Sequence, residues 1–135
     1  MNGTNPSSSA LLRAALAADG AVSAMSGLVM AAGAGVLADP LGVPEPLLRW
    51  AGIGLLPFAA FVLWAATRES VPAGAVRAIV VCNALWALDS VLLLLSGWIA
   101  PTTMGAAFVA IQAAGVAVLA ELQYVGLRRS MPLAA

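Results

Sequence analysis

Six carboxylates and six arginines carry all the charge in this sequence, and three of the acids fall where water-facing residues should not be. Asp19, Asp89 and Glu121 each lie inside a long apolar run, as do the amides Asn83 and Gln112. An ionisable group at such a depth costs about 2.5 to 3.5 kcal/mol even on the most lenient insertion scale, so each one needs compensation or a use. A carboxylate there can pair with a cation, hydrogen-bond to a neighbouring helix, or bind a proton or cation reversibly. At about 1.5 Å per residue, Asp19 lies roughly 13 Å into the first apolar run, Asn83 lies at a comparable depth in the third, and Glu121 enters the same layer from the far end of the fourth. Arg13 and Arg77, near the starts of their runs, have side chains long enough to reach down to that layer.

Asp19, Asn83, Glu121, Arg13 and Arg77 are therefore expected as one polar cluster, for which two explanations compete. In the structural one the groups pair and hydrogen-bond, locking the helices together. In the functional one Asp19 or Glu121 is a protonatable site, and the protein is a small proton-coupled transporter. The structural explanation is preferred, because matched depth lets each acid be compensated without opening a water path. Asp89 is assigned Arg49 as its partner, the lone cation on its side, and Gln112 a hydrogen bond between helices.

Absent residue types narrow the chemistry further. With no His there is no imidazole for haem, copper, zinc or chlorophyll, and with no Lys there is no Schiff base. The single cysteine, Cys82, allows neither a disulfide nor a CxxC redox pair. No cofactor, metal site or catalytic residue is expected, and for want of a nucleophile and base the chain is read as not an enzyme. The formal net charge is zero and no basic tract occurs, so nucleic acid is not an expected partner.

These residues must be positioned by elements that live in lipid. Of the 135 residues, 62% are hydrophobic and 9% charged, and the mean hydropathy is +1.00; a soluble chain of this length has too little interior to hide so much apolar surface. A spanning helix needs about 20 apolar residues. Four stretches qualify: 10–37, 47–67, 74–98 and 103–127. Residues 1–9 and 128–135 are read as cytoplasmic tails, the first of them flexible. Span one is expected to stop before Asp39 and Pro40, since Pro40, Pro44 and Pro46 crowd the segment that follows.

The fold class is therefore all-α, an integral membrane four-helix bundle. Arg13, Arg68, Arg77, Arg128 and Arg129 lie on one side and only Arg49 on the other, which places both termini in the cytoplasm of a multi-pass protein. Close packing in lipid relies on small residues. Gly20, Ala24, Gly27, Ala31 and Gly35 form such a stripe on span one, and Ala106, Ala110, Ala113, Ala114 and Ala117 a second on span four. Arg13 precedes Asp19 by the same six residues that separate Arg77 from Asn83. The two helical hairpins would then be parallel-related, with a pseudo-twofold along the membrane normal.

The string from Glu121 to Arg129, with Asn83 to Trp86 and Pro101 to Gly105, resembles an uncharacterised family of small four-span proteins of bacterial inner membranes. In size and span count the chain is also similar to DoxX-like proteins and small multidrug resistance exporters. The exporters carry a glutamate in their first span, and Asp19 occupies a loosely analogous place. The four-span resemblance implies a location in the bacterial inner (plasma) membrane but no activity. The expected role is a noncatalytic structural or accessory membrane component, whose partners are the lipid bilayer, further copies of the chain, or a larger membrane complex.

Overall fold

The computed structural model describes residues 6–130, which form four α-helices: α1 Pro6–Leu41, α2 Glu45–Thr67, α3 Ala73–Ser96 and α4 Thr103–Ser130. No strand occurs among the described residues. Each helix is long and apolar enough to cross a membrane, with mean hydropathy between 1.7 and 2.2 in its most apolar stretch. Large apolar side chains point outward along all four, Met25, Trp50, Leu95 and Ile111 among them. Lipid is the solvent in which such a surface is stable.

The helix ends differ from expectation where proline chemistry was read too strictly. Pro6 to Ser9, expected in a flexible tail, are the first residues of α1. Residues 1–5 and 131–135 lie outside the described residues, and with them most of both tails. At its other end α1 does not stop at Leu37 but continues through Pro40 to Leu41. Gly42, at φ +64°, ends it instead. The amide of Gly42 donates to the carbonyl of Asp39 and that of Val43 to the carbonyl of Ala38, both at 3.1 Å. This is a Schellman cap, and Val43 joins the apolar cluster against which Leu37 and Ala38 pack. Pro44 then caps α2, and Pro46 sits in its first turn, where a missing N–H has no partner to lose. Three prolines thus shorten the connection to residues 42–44 without breaking either helix.

Two clamps fix the ends of the molecule. At one end Thr102 accepts from the amide of Gly105 at 3.0 Å, capping α4, and its hydroxyl donates to the carbonyl of Pro40 at 2.7 Å. At the opposite end the Arg13 guanidinium donates to the carbonyls of Ala66, Arg68 at 2.7 Å and Glu69 at 3.2 Å, satisfying the last turn of α2. Each end also has its own apolar cluster. Leu16, Val62, Ile79 and Leu127 bring all four helices together beside Arg13. Met30, Leu41, Val43 and Leu48 close the end held by Thr102.

Between the ends the packing is uneven. α1 lies along both α2 and α4, and α3 lies on α4, but α2 and α3 scarcely touch. The small-residue stripe of α1 lets α2 approach closely. A Cβ on Gly27 would stand 2.9 Å from the carbonyl oxygen of Gly52, and one on Gly52 2.5 Å from the amide nitrogen of Ala31. Gly20 and Gly27 are buried and Ala24 and Ala31 half-buried, while Gly35 has left the interface and is exposed. On α4 the buried face runs through Gly105, Val109, Ala113 and Ala120, and Ala110 and Ala114 are exposed.

Candidate functional site

The α1 face that packs against its neighbours carries Asp19 to the middle of the molecule, where its side chain is 1% exposed. Three donors converge on it. Asn83 of α3 and Gln123 of α4 each give an amide N–H to Oδ2 at 2.7 Å, and the Ser23 hydroxyl, one turn along α1, donates to Oδ1 at 3.2 Å. Asn83 uses its second N–H on Gln123 Oε1 at 3.0 Å, which closes a ring across three helices. Among the described residues no buried side-chain nitrogen or oxygen is left without a partner.

The structure thus brings Asp19 and Asn83 together but not the other residues expected with them. Glu121 is exposed, and Gln123 takes the place foreseen for it. At about 100° per residue, two positions along a helix turn a side chain to nearly the opposite face, so a depth that was right for one residue served its neighbour. Arg13 spends its donors on the carbonyls that end α2. Arg77 is exposed on α3, and the partners of Asp19 do not include it. Compensation comes from neutral donors, not from arginine. The outer pair is corrected as well: Arg49 bridges to Glu45 at 3.4 Å, one turn away on α2, and not to Asp89.

A second polar layer lies further along α3. The Trp86 indole N–H donates to Gln112 Oε1 at 2.7 Å, and Gln112 Nε2 donates to Ser90 Oγ at 2.9 Å, joining α3 to α4. The Ser90 hydroxyl in turn donates to the Trp86 carbonyl at 2.7 Å. Gln112 therefore makes the interhelical bond expected of it.

The two layers border a cavity of about 630 Å³ lined by all four helices. Its wall is mostly aliphatic and aromatic, including Val22, Met30, Leu55 and Phe108, with Asp19 and Asn83 at one end and Trp86, Ser90 and Gln112 along one side. Asp89 also lines it and is exposed, which puts this carboxylate at the rim. No group of three or more His, Cys, Asp or Glu side chains suited to a metal ion occurs among the described residues. The arrangement can hold an apolar molecule, and it can present one carboxylate to it.

Comparison with known protein families, characterised proteins and solved structures finds no match to this chain. Its function must be argued from its own residues.

Proposed function

We propose that the chain is a noncatalytic structural or accessory component of the bacterial inner membrane, inserted as a four-helix bundle with both termini cytoplasmic. The observation that carries this reading is the closure of the Asp19 layer. A coupling carboxylate must exchange its partners for water, whereas Asp19, although it borders the cavity, is 1% exposed and has both oxygens engaged by Ser23, Asn83 and Gln123. Such a ring holds α1, α3 and α4 in one register, which is a structural task. The location rests on the resemblance to small inner-membrane proteins. The orientation rests on the arginines, and Arg68 over Trp64 and Arg128 over Tyr124 put cation–π pairs at the end assigned to the cytoplasm. In the proposed hairpin repeat Asp19 and Asn83 are equivalent positions, and their direct contact supports that equivalence. The outward apolar faces suit further copies of the chain or subunits of a larger complex.

Reconstitution in liposomes with an enclosed pH dye and a panel of cations tests the proposal. No substrate-dependent proton flux is expected. A flux that disappears in Asp19→Asn while folding is preserved overturns it in favour of a proton-coupled transporter. Topology is tested separately in a Cys82→Ser background, with cysteines placed at positions 42 and 72. Impermeant reagents should label them from opposite faces, and labelling from one face rejects the four-span insertion.

A further inference from the structure

We propose that the cavity is a binding site for a lipophilic organic monocation, with Asp89 as its counter-ion. This goes beyond the structural role and does not depend on it. The volume, about 630 Å³, falls within the roughly 300 to 1,000 Å³ of small-molecule sites. The wall supplies hydrophobic surface from α1, α2 and α4, and no arginine lines it.

Asp89 supplies the specificity. Every other polar side chain along the α3 wall is committed: Asn83 to Asp19 and Gln123, Trp86 to Gln112, Ser90 to Trp86 and Gln112. Asp89 alone has no hydrogen bond or ion pair among the described residues. It lies seven residues from the end of α3, about 10 Å along the axis. Arg49, the cation expected to pair with it, is held by Glu45 on another helix.

A lone carboxylate at the rim of an apolar cavity is matched by one positive charge on an apolar body. A hydrated metal ion would find too few oxygens here, an anion would be repelled, and a neutral acyl chain would leave Asp89 as uncompensated as before. The Trp86 ring, also on the wall, adds an aromatic surface of the kind cations favour.

The test uses the full chain in detergent and three isosteric probes: tetraphenylphosphonium, the neutral tetraphenylsilane and the anion tetraphenylborate. Binding is measured by equilibrium dialysis against empty micelles, and the melting temperature of each variant reports its folding. The cation should bind saturably, one per chain, and the other two more weakly by about tenfold or more. Asp89→Asn should cost the cation a similar factor. Asp89→Glu and Glu121→Gln, the latter an acid outside the cavity, should leave it within about threefold. Gly115→Leu should reduce it, because Gly115 lines the cavity and a Cβ there meets nothing within 4 Å. Equal binding of the silane, undiminished binding by folded Asp89→Asn, or no saturable binding of the cation by the folded protein would each overturn the proposal.

Discussion

The inner and outer polar layers are built from the same materials, an aspartate and carboxamides on helices that cross a membrane-like interior, yet they end differently. Around Asp19 the acid, the two amides and the Ser23 hydroxyl all bond within the layer. Around Asp89, about 9 Å further along α3 from Asn83 at 1.5 Å per residue, Trp86, Ser90 and Gln112 satisfy one another and leave the acid out. The cause is helix placement rather than composition. α1, α3 and α4 converge at Asp19, above the cluster that Leu16, Val62, Ile79 and Leu127 form. Nearer Asp89 α2 stands off from α3, which it scarcely touches, and lines the cavity between them with Leu47, Leu48, Ala51 and Leu55. A true twofold between hairpins would pack α2 on α3 as α4 packs on α1. The departure from that symmetry is what leaves room for the cavity.

The same contrast between a closed side and an open one predicts the largest effect. Gly27→Leu faces the carbonyl of Gly52, which belongs to backbone and cannot step aside. A loss of about 3 kcal/mol, the upper end for overpacking, is expected in detergent-unfolding titrations. Gly115→Leu, on the cavity wall, should stay within about 0.5 kcal/mol of the parent, the ordinary range for a substitution that meets nothing. Equal losses for both would show that α1 and α2 are not the tight pair described.

How far the sequence discloses this arrangement depends on which coordinate of a residue is asked for. Depth is legible, because apolar length and rise per residue fix it; Asp19 and Asn83 meet as their depths require. The angle about the helix axis is less so. Glu121 draws notice because its charge at depth demands an explanation, and the neutral Gln123 beside it does not. The buried positions Ala113 and Ala120 continue at helical spacing to Gln123 and Leu127 and would have pointed to the amide. Partner choice is the hardest of the three. That Arg13 serves the carbonyls of Ala66, Arg68 and Glu69 depends on where α2 ends in space, and no local pattern encodes it. The start of α2 is legible once its prolines are weighed by position, since Pro44 and Pro46 forfeit no helical bond there; the end of α1 is not, because Pro40 lies inside its last turn.

Within the closed layer, Asp19→Leu removes the acceptor for two amides and a hydroxyl in one step. Stranded buried donors cost about 1 to 3 kcal/mol, whereas polar contacts between membrane helices average about 0.6 kcal/mol. A loss of about 2 kcal/mol is expected. Asp19→Asn keeps one acceptor oxygen and should lose about half as much. If Asp19→Leu unfolds no more readily than the parent, the ring of bonds is not what registers the three helices.

In the outer layer Gln112→Leu frees the Trp86 indole N–H and one partner of Ser90. These groups are half-buried or at the cavity wall, so they can find other partners, and the cost should be near the membrane average of about 0.6 kcal/mol. The readout specific to this bond is the Trp86 indole proton, which should move upfield in the NMR spectrum. An unmoved resonance would break the claim that the outer layer closes through Gln112.

The smallest effect is expected at Asp89, and its sign sharpens the comparison most. Asp19→Leu removes an acceptor on which three groups depend, whereas Asp89→Leu removes a group on which none of the described residues depends. A leucine at that depth is also cheaper to place in lipid than an aspartate, by the sense of every insertion scale. Folding stability should therefore be unchanged or rise, by no more than about 1 kcal/mol, since the side chain is exposed and its replacement gains little packing. The two substitutions share the same chemistry, acid to leucine within a span, and differ only in which layer they enter. A destabilisation at Asp89 as large as that at Asp19 would mean that the outer carboxylate is tied into the fold after all. Opposite signs would mean that it has been left free of structural duty, which is the condition a ligand-facing acid must meet.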